Sequence, residues 1–221
     1  MISFGIDTSL SSVSFAIRQN GAVLAEFESD AGRGLADKIG EIMKNLLNTA
    51  KISAGDIQRC GLITGPGSFT GLRIGIAFAK GFFADSSAEI TEISSLECAA
   101  KTYGKGNVSV LFDARQDEVF FARFEENGRI SEDERISFEK ALEKCAENDT
   151  IIYSFSGNSN SPIKQILSKF ECFEAETLAG RGITAAEISE KSGVLRTIDE
   201  VFPNYMQVSY AEKMRNVKCG V

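Results

Sequence analysis

The 221-residue sequence contains no histidine. That absence removes the commonest general base, the commonest metal ligand and every Ser-His or Cys-His nucleophile pair, leaving chemistry run by carboxylates and backbone N–H groups around a bound Mg-nucleotide. Cysteine is sparse: Cys60, Cys98, Cys145, Cys172 and Cys219 are odd in number, far apart and never form C-x-x-C. Neither a disulfide framework nor a thiolate zinc site is supported, and reduced, mostly buried thiols are expected. No apolar run approaches the roughly 18 residues of a membrane span, and Met1 to Gly5 lacks the basic start and long apolar core of a signal peptide, so the expected location is cytoplasmic. Positive charge is also in deficit. With 24 Lys and Arg against 31 Asp and Glu the net charge is −7, and no basic stripe with interleaved aromatics is visible. A nucleic-acid substrate therefore needs another protein to hold it.

Glycine, by contrast, is concentrated in one place. Gly65-Pro66-Gly67-Ser68-Phe69-Thr70-Gly71-Leu72-Arg73-Ile74-Gly75 packs four glycines and a proline between a strand-like run, Arg59 to Thr64, and a helix-like run, Gly71 to Ala84. The spacing predicts a strand, a tight Gly-Pro-Gly turn and a helix capped by Ser68 or Thr70. Such a junction can offer backbone N–H groups to a phosphate. A P-loop, however, needs a Lys directly after its second loop glycine, and a dinucleotide fingerprint needs G-x-G-x-x-G; neither is met. Gly71, Gly75 and Ala79 recur every four residues, although a helical glycine costs about 1 kcal/mol relative to alanine. The recurrence predicts close approach by another backbone. Two sources are open: the chain's own sheet beneath the helix, or a partner docking from outside.

An internal repeat organises the rest. Phe4-Gly5-Ile6-Asp7 leads through Ser11-Ser12 into Val13-Ser14-Phe15-Ala16 and the turn pair Asn20-Gly21; 106 positions later Leu111-Phe112-Asp113 leads through Asp117-Glu118 into Val119-Phe120-Phe121-Ala122 and Asn127-Gly128. Asn-Gly is the strongest short hairpin signal. Each copy thus reads as a strand ending in Asp, a second strand, a turn and a third strand, followed by helices alternating with strands. Apolar residues at Leu35, Ile39, Ile42, Met43, Leu46, Leu47 and Ala50 predict a helix over 35–50, and a third helix is expected from Ser95. Glu89 to Ile93 alternates like a half-buried strand. In the second half helices are expected over Phe138 to Cys145, Ile163 to Phe170 and Ala185 to Lys191, with a strand at Thr150 to Tyr153. Gly104-Lys105-Gly106 marks the division into subdomains 1–105 and 106–221, and the tail after Pro203 is expected to return to the first.

Two copies of this plan describe a duplicated α/β architecture, that of actin-like folds (sugar kinase, Hsp70 and actin; RNase H-like), with two subdomains built on mixed sheets. The Gly65 to Gly75 motif resembles the signature of the bacterial TsaB (YeaZ) family, its defining residues here being Gly65, Pro66, Gly67, Ser68, Phe69, Thr70, Gly71 and Arg73. Phe4-Gly5-Ile6-Asp7-Thr8-Ser9, Ile93-Ser94-Ser95-Leu96 and Asp113-Ala114-Arg115-Gln116-Asp117-Glu118-Val119 fall where that family has similar segments.

The resemblance implies a noncatalytic subunit with no cofactor or metal of its own. TsaB-like proteins pair with a larger paralogue, TsaD, which carries the active site and metal-binding histidines, and with the ATPase TsaE. Together they install the threonylcarbamoyl group on N6 of adenosine 37 in tRNAs reading ANN codons, so tRNA is reached only through the complex. Family members pair through their first two helices, with TsaD or with themselves, which assigns the contact here to Leu35, Ile39, Ile42, Met43 and Leu46 and to Gly71, Leu72, Gly75 and Ala79, and places the partner reading of the small face first. Asp7, Thr8 and Asp113 mark a relic cleft. In ATPases of this class such aspartates hold waters around a nucleotide-bound Mg²⁺, whereas the plainer role of a strand-end Asp is to cap its own turn. Ser154-Phe155-Ser156-Gly157-Asn158-Ser159 has one glycine where paired glycines usually face the purine, which favours the relic. The sequence departs from the family at Gly32-Arg33-Gly34-Leu35-Ala36-Asp37, where a His-Ser pair and a following Leu-Pro are common, and at Gln207, where a basic residue is usual. The alternative function is a standalone kinase or ATPase of the same fold; a glycopeptidase role lacks metal ligands.

Overall fold

The computed structural model describes residues 1–30, 34–115, 117–126, 128–155 and 167–206. Gly32, Arg33, Gln116, Asn127, the 156–159 loop, the start of the helix expected over Ile163 to Phe170, Gln207 and Cys219 lie outside them. Strands β1 (Ile2–Asp7), β2 (Ser12–Gln19), β3 (Ala22–Asp30), β4 (Arg59–Gly65) and β5 (Glu89–Ser94) form one sheet in the order β3-β2-β1-β4-β5. Strands β6 (Val108–Arg115), β7 (Glu118–Glu125), β8 (Gly128–Arg129), β10 (Thr150–Ser154) and β11 (Cys172–Glu174) form the other in the order β11-β10-β6-β7-β8, with β9 (Glu134–Ser137) also pairing β7. Both sheets are mixed. β1 runs antiparallel to β2 and parallel to β4, and β6 runs antiparallel to β7 and parallel to β10. β1 and β6, and β2 and β7, begin at positions related by the sequence repeat. In the first hairpin Asn20 and Gly21 both take positive φ, 50° and 87°, the primed-turn geometry that Asn-Gly favours.

Strand alternation decides which helix covers which face. Phe4, Ile6, Cys60 and Leu62 join Leu35, Ile39, Met43 and Leu46 of α1 (Leu35–Ala50) and Ile76 and Ala79 of α2 (Phe69–Phe82) in one core. The intervening Gly5 and Gly61 point the other way, onto α5 (Arg181–Lys191), whose backbone lies so close that a methyl at Gly5 would meet Gly182 O and one at Gly61 would meet Ala185 O. The second sheet is covered on one face by Leu96, Ala99 and Ala100 of α3 (Ser95–Tyr103) and on the other by Phe138 and Ala141 of α4 (Phe138–Lys144). Each half thus lends the other a helix: α3 packs on the second sheet, and α5, from the far end of the chain, packs on the first. After α5 the backbone bridges Arg196 to Ile90 at the β5 edge, and Asn204 N–H reaches Thr64 O at 2.8 Å.

Candidate functional site

The glycine motif folds as strand, turn and helix, with Ser68 Oγ accepting the N–H of Gly71 at 3.2 Å as the helix cap. Its glycines answer to other parts of the same chain, backbone at Gly65, Gly67 and Gly71 and a side chain at Gly75. A methyl on Gly65 would strike Asn204 O; on Gly67, Ser9 O; on Gly71, Thr8 O; and on Gly75, Thr8 Oγ1. Pro66 O accepts from the Ser95 hydroxyl, and Ser68 N–H donates to Ser9 O at 2.7 Å. The motif is a junction that gathers the β1–β2 loop, the start of α3 and the returning C-terminal strap. Arg73 joins the strap from outside: its guanidinium lies 4.4 Å over the Phe69 ring and donates to Tyr205 Oη at 3.2 Å.

These contacts correct the assignment of the small face to a partner. Gly71, Leu72, Gly75 and Ala79 are buried, and the close approach predicted for Gly71 and Gly75 comes from Thr8 of the same chain. Leu35, Ile39, Met43 and Leu46 are likewise buried beneath α1, and of the residues first assigned to the contact only Ile42 remains half-exposed. A helical period marks an apolar or small face without saying which neighbour fills it. The surface that α1 and α2 present outward is different. Gly40 of α1 and Gly81 of α2 are exposed, and a methyl on either would meet nothing within 4 Å. Thr70, Arg73, Ala77 and Gly81 are the exposed positions of α2, bordered by half-buried Ile74 and Phe78.

At the cleft, both aspartates of the repeat, Asp7 at the end of β1 and Asp113 two residues before the end of β6, cap the backbone that follows them. Asp7 Oδ1 accepts from Ser9 N at 2.8 Å and Ser9 Oγ at 2.6 Å; Asp113 Oδ1 accepts from Arg115 N at 2.8 Å. Beyond that they part. Asp7 Oδ2 receives Arg181 Nε at 2.7 Å, and the side chains of this ion pair are each only 2% exposed. Arg181 also donates to Ala175 O (3.1 Å), Leu178 O (3.3 Å), Ser12 O (3.0 Å) and Ser12 Oγ (2.8 Å), so each guanidinium nitrogen has a partner. Burial pulls the Arg181 guanidinium down, but the charge and hydrogen bond of Asp7 outweigh it and hold the group above its ordinary value. Nothing in the motifs pointed to Arg181; its signal is a lone Arg flanked by Gly180 and Gly182 at a helix start. Thr8, beside Asp7, is 1% exposed, and its hydroxyl lies against α2 without a hydrogen-bond partner. The fold class implies a Mg-nucleotide here, and these residues do not fit one: the carboxylate that would face the metal is enclosed with an internal cation against it. Among the described residues no group of three or more His, Cys, Asp or Glu is placed to hold a metal.

The duplicated sheets, with their shared strand order, define a protein of the actin-like ATPase fold. The family model described as TsaD, tRNA N6-adenosine threonylcarbamoyltransferase, matches residues 27–209; the chain belongs to this family, on its TsaB/YeaZ side. It is 26% identical to the tRNA threonylcarbamoyladenosine biosynthesis protein TsaB of Bacillus subtilis over 96% of each chain. YeaZ from Pseudomonas aeruginosa shares its fold with a TM-score of 0.73 at 19% identity, over 92% of this chain and 99% of that one. An activator of 2-hydroxyisocaproyl-CoA dehydratase from Clostridium difficile, with bound ADPNP, gives 0.53 at 12% identity over 90% and 95%. Among the described residues no helix is long and apolar enough to cross a membrane.

Proposed function

We propose that this chain is the noncatalytic partner of a TsaD-type subunit in the complex that adds the threonylcarbamoyl group to N6 of adenosine 37, and that it docks through the outward faces of α1 and α2. Family membership and the relatives' role in threonylcarbamoyladenosine biosynthesis support the pathway. The observation that carries the docking reading is the pair of exposed helical glycines. Gly40, inside α1, costs about 1 kcal/mol relative to alanine and Gly81, in the last turn of α2, up to that much, and a methyl on either would meet nothing within 4 Å among the described residues. A helix from another protein is the neighbour such a surface suits, with Ile42, Ile74 and Phe78 supplying apolar contact. A histidine-free chain with an enclosed cleft aspartate leaves the chemistry to that partner. A TsaE-like ATPase joins the larger assembly, tRNA is held by the complex, and self-pairing would use the same helices.

The test is co-purification from the native host with identification of the accompanying proteins, followed by mixing of purified subunits on a sizing column. A TsaD-type protein is expected in stoichiometric amount, and the isolated chain is expected to release no phosphate from ATP. Turnover by the isolated chain, or recovery without such a partner, contradicts the proposal.

A further inference from the structure

We infer that Arg181 is the resident cation of this cleft, an internal guanidinium that ties the first sheet to the second half of the chain where nucleotide-binding members of the fold rely on a bound Mg-nucleotide. The inference rests on where its bonds go. Asp7 and Ser12 belong to β1 and β2 of the first sheet; Ala175 and Leu178 belong to the segment that follows β11 of the second. One side chain therefore crosses the seam between the halves and ends on both sides of it.

The surrounding contacts run in the same direction. Glu28 of β3 accepts from Gly180 N at 2.7 Å, Ser14 Oγ of β2 accepts from Gly182 N at 2.8 Å, and Ser11 donates to Glu176 at 3.3 Å. Gly182 lies directly against the Phe15 backbone, leaving no room for a side chain. This close packing fixes the helix start, and the helix start fixes Arg181 opposite Asp7. Charge balance follows: an isolated buried carboxylate is strongly unfavourable, and a guanidinium with every nitrogen bonded offsets that without a metal. The closed arrangement is therefore independent of ligand, and the sheet that carries α1 and α2 is held in one position.

The experiment is amide hydrogen exchange on the full isolated chain, which needs no partner and so stands or falls separately from the docking proposal. In the wild type, exchange in 12–14 and 175–182 is expected to be slow and unchanged by millimolar Mg²⁺–ATP. Arg181→Met keeps the apolar stem and removes the tie; those segments should exchange at least roughly a hundredfold faster. Should that variant fail to fold, Asp7→Asn with Arg181→Met removes both charges together, and seam exchange should still be about tenfold faster than wild type while the α1–β4 core is unaffected. Wild-type exchange rates at the seam in the double variant, or protection of the wild-type seam by Mg²⁺–ATP, would overturn the inference.

Discussion

In the first copy of the repeat the strand-end aspartate is enclosed by a helix from the far end of the chain, whereas Asp113 of the second copy is half-buried and its carboxylate caps its own loop. The turn chemistry is shared and the environment is not. The second copy puts its buried carboxylate elsewhere: Asp149, just before β10, accepts from Ser109 Oγ (2.7 Å), Arg123 Nε (2.8 Å) and Ala146 N (3.0 Å). Both halves thus bury one acid against one arginine. In the first half that pair lies where the fold's ligand chemistry belongs and joins the two halves; in the second it joins neighbouring strands of one sheet. The same local sequence signal, an Asp ending a strand, becomes a seam or a turn according to what the distant chain brings to it.

Breaking the first copy alone should cost the most. Arg181→Met leaves Asp7 buried without its partner and should cost about 3–5 kcal/mol in denaturant unfolding, while Arg115→Met, at the exposed end of β6 two residues after Asp113, should fall within about 0.5 kcal/mol of wild type. Equal losses would erase the distinction between the copies. Next comes the junction: Gly75→Leu must displace Thr8, and overpacking of this kind costs about 1–3 kcal/mol, so the isolated chain should melt lower. An unchanged melting temperature would return the small face to the surface.

Acid separates the halves more gently. Burial raises the Asp149 carboxyl, but the hydrogen bonds from Arg123 and Ser109 prevail and hold it below its ordinary value of 3.8. A depressed folded value means that this contribution is complete above that ordinary value and is lost as pH falls through the folded one. Asp149→Asn should therefore flatten the decline of stability on acidification below about pH 4. An undiminished decline would show that the pair is silent. The smallest effect is a gain: Gly40→Ala or Gly81→Ala should stabilise the isolated chain by up to about 1 kcal/mol, read as a higher unfolding midpoint.

Much of this was legible beforehand because it is local. The period of Leu35 to Ala50 gave that helix its observed bounds, the 106-residue offset reappears in β1 and β6, and of the two cap candidates, Ser68 and Thr70, it is Ser68 that caps α2. What failed was the choice of neighbour. Four-residue spacing at Gly71 and Gly75 reports a small face and leaves the chain's own packing open, and it is the family resemblance that points this face outward; neither carries information about Thr8, more than sixty residues earlier. Arg181 escaped for the same reason: its role is set by contacts 174 and 169 residues away. The helix start also lay four residues upstream of the expected Ala185, since Gly180 with φ 84° begins it without a side-chain cap. The short strands β9 and β11 are too brief for a period-2 signal to emerge.

The docking proposed for the outward faces of α1 and α2, rather than for the buried glycines, stands or falls with Gly81→Leu. A Leu there projects into open space in the free chain, so its cooperative unfolding should be retained. At a tight helix contact the same side chain should weaken association with a TsaD-type subunit by roughly a factor of five to a hundred and fifty, measured by calorimetric titration. Full affinity with an intact fold would contradict the account.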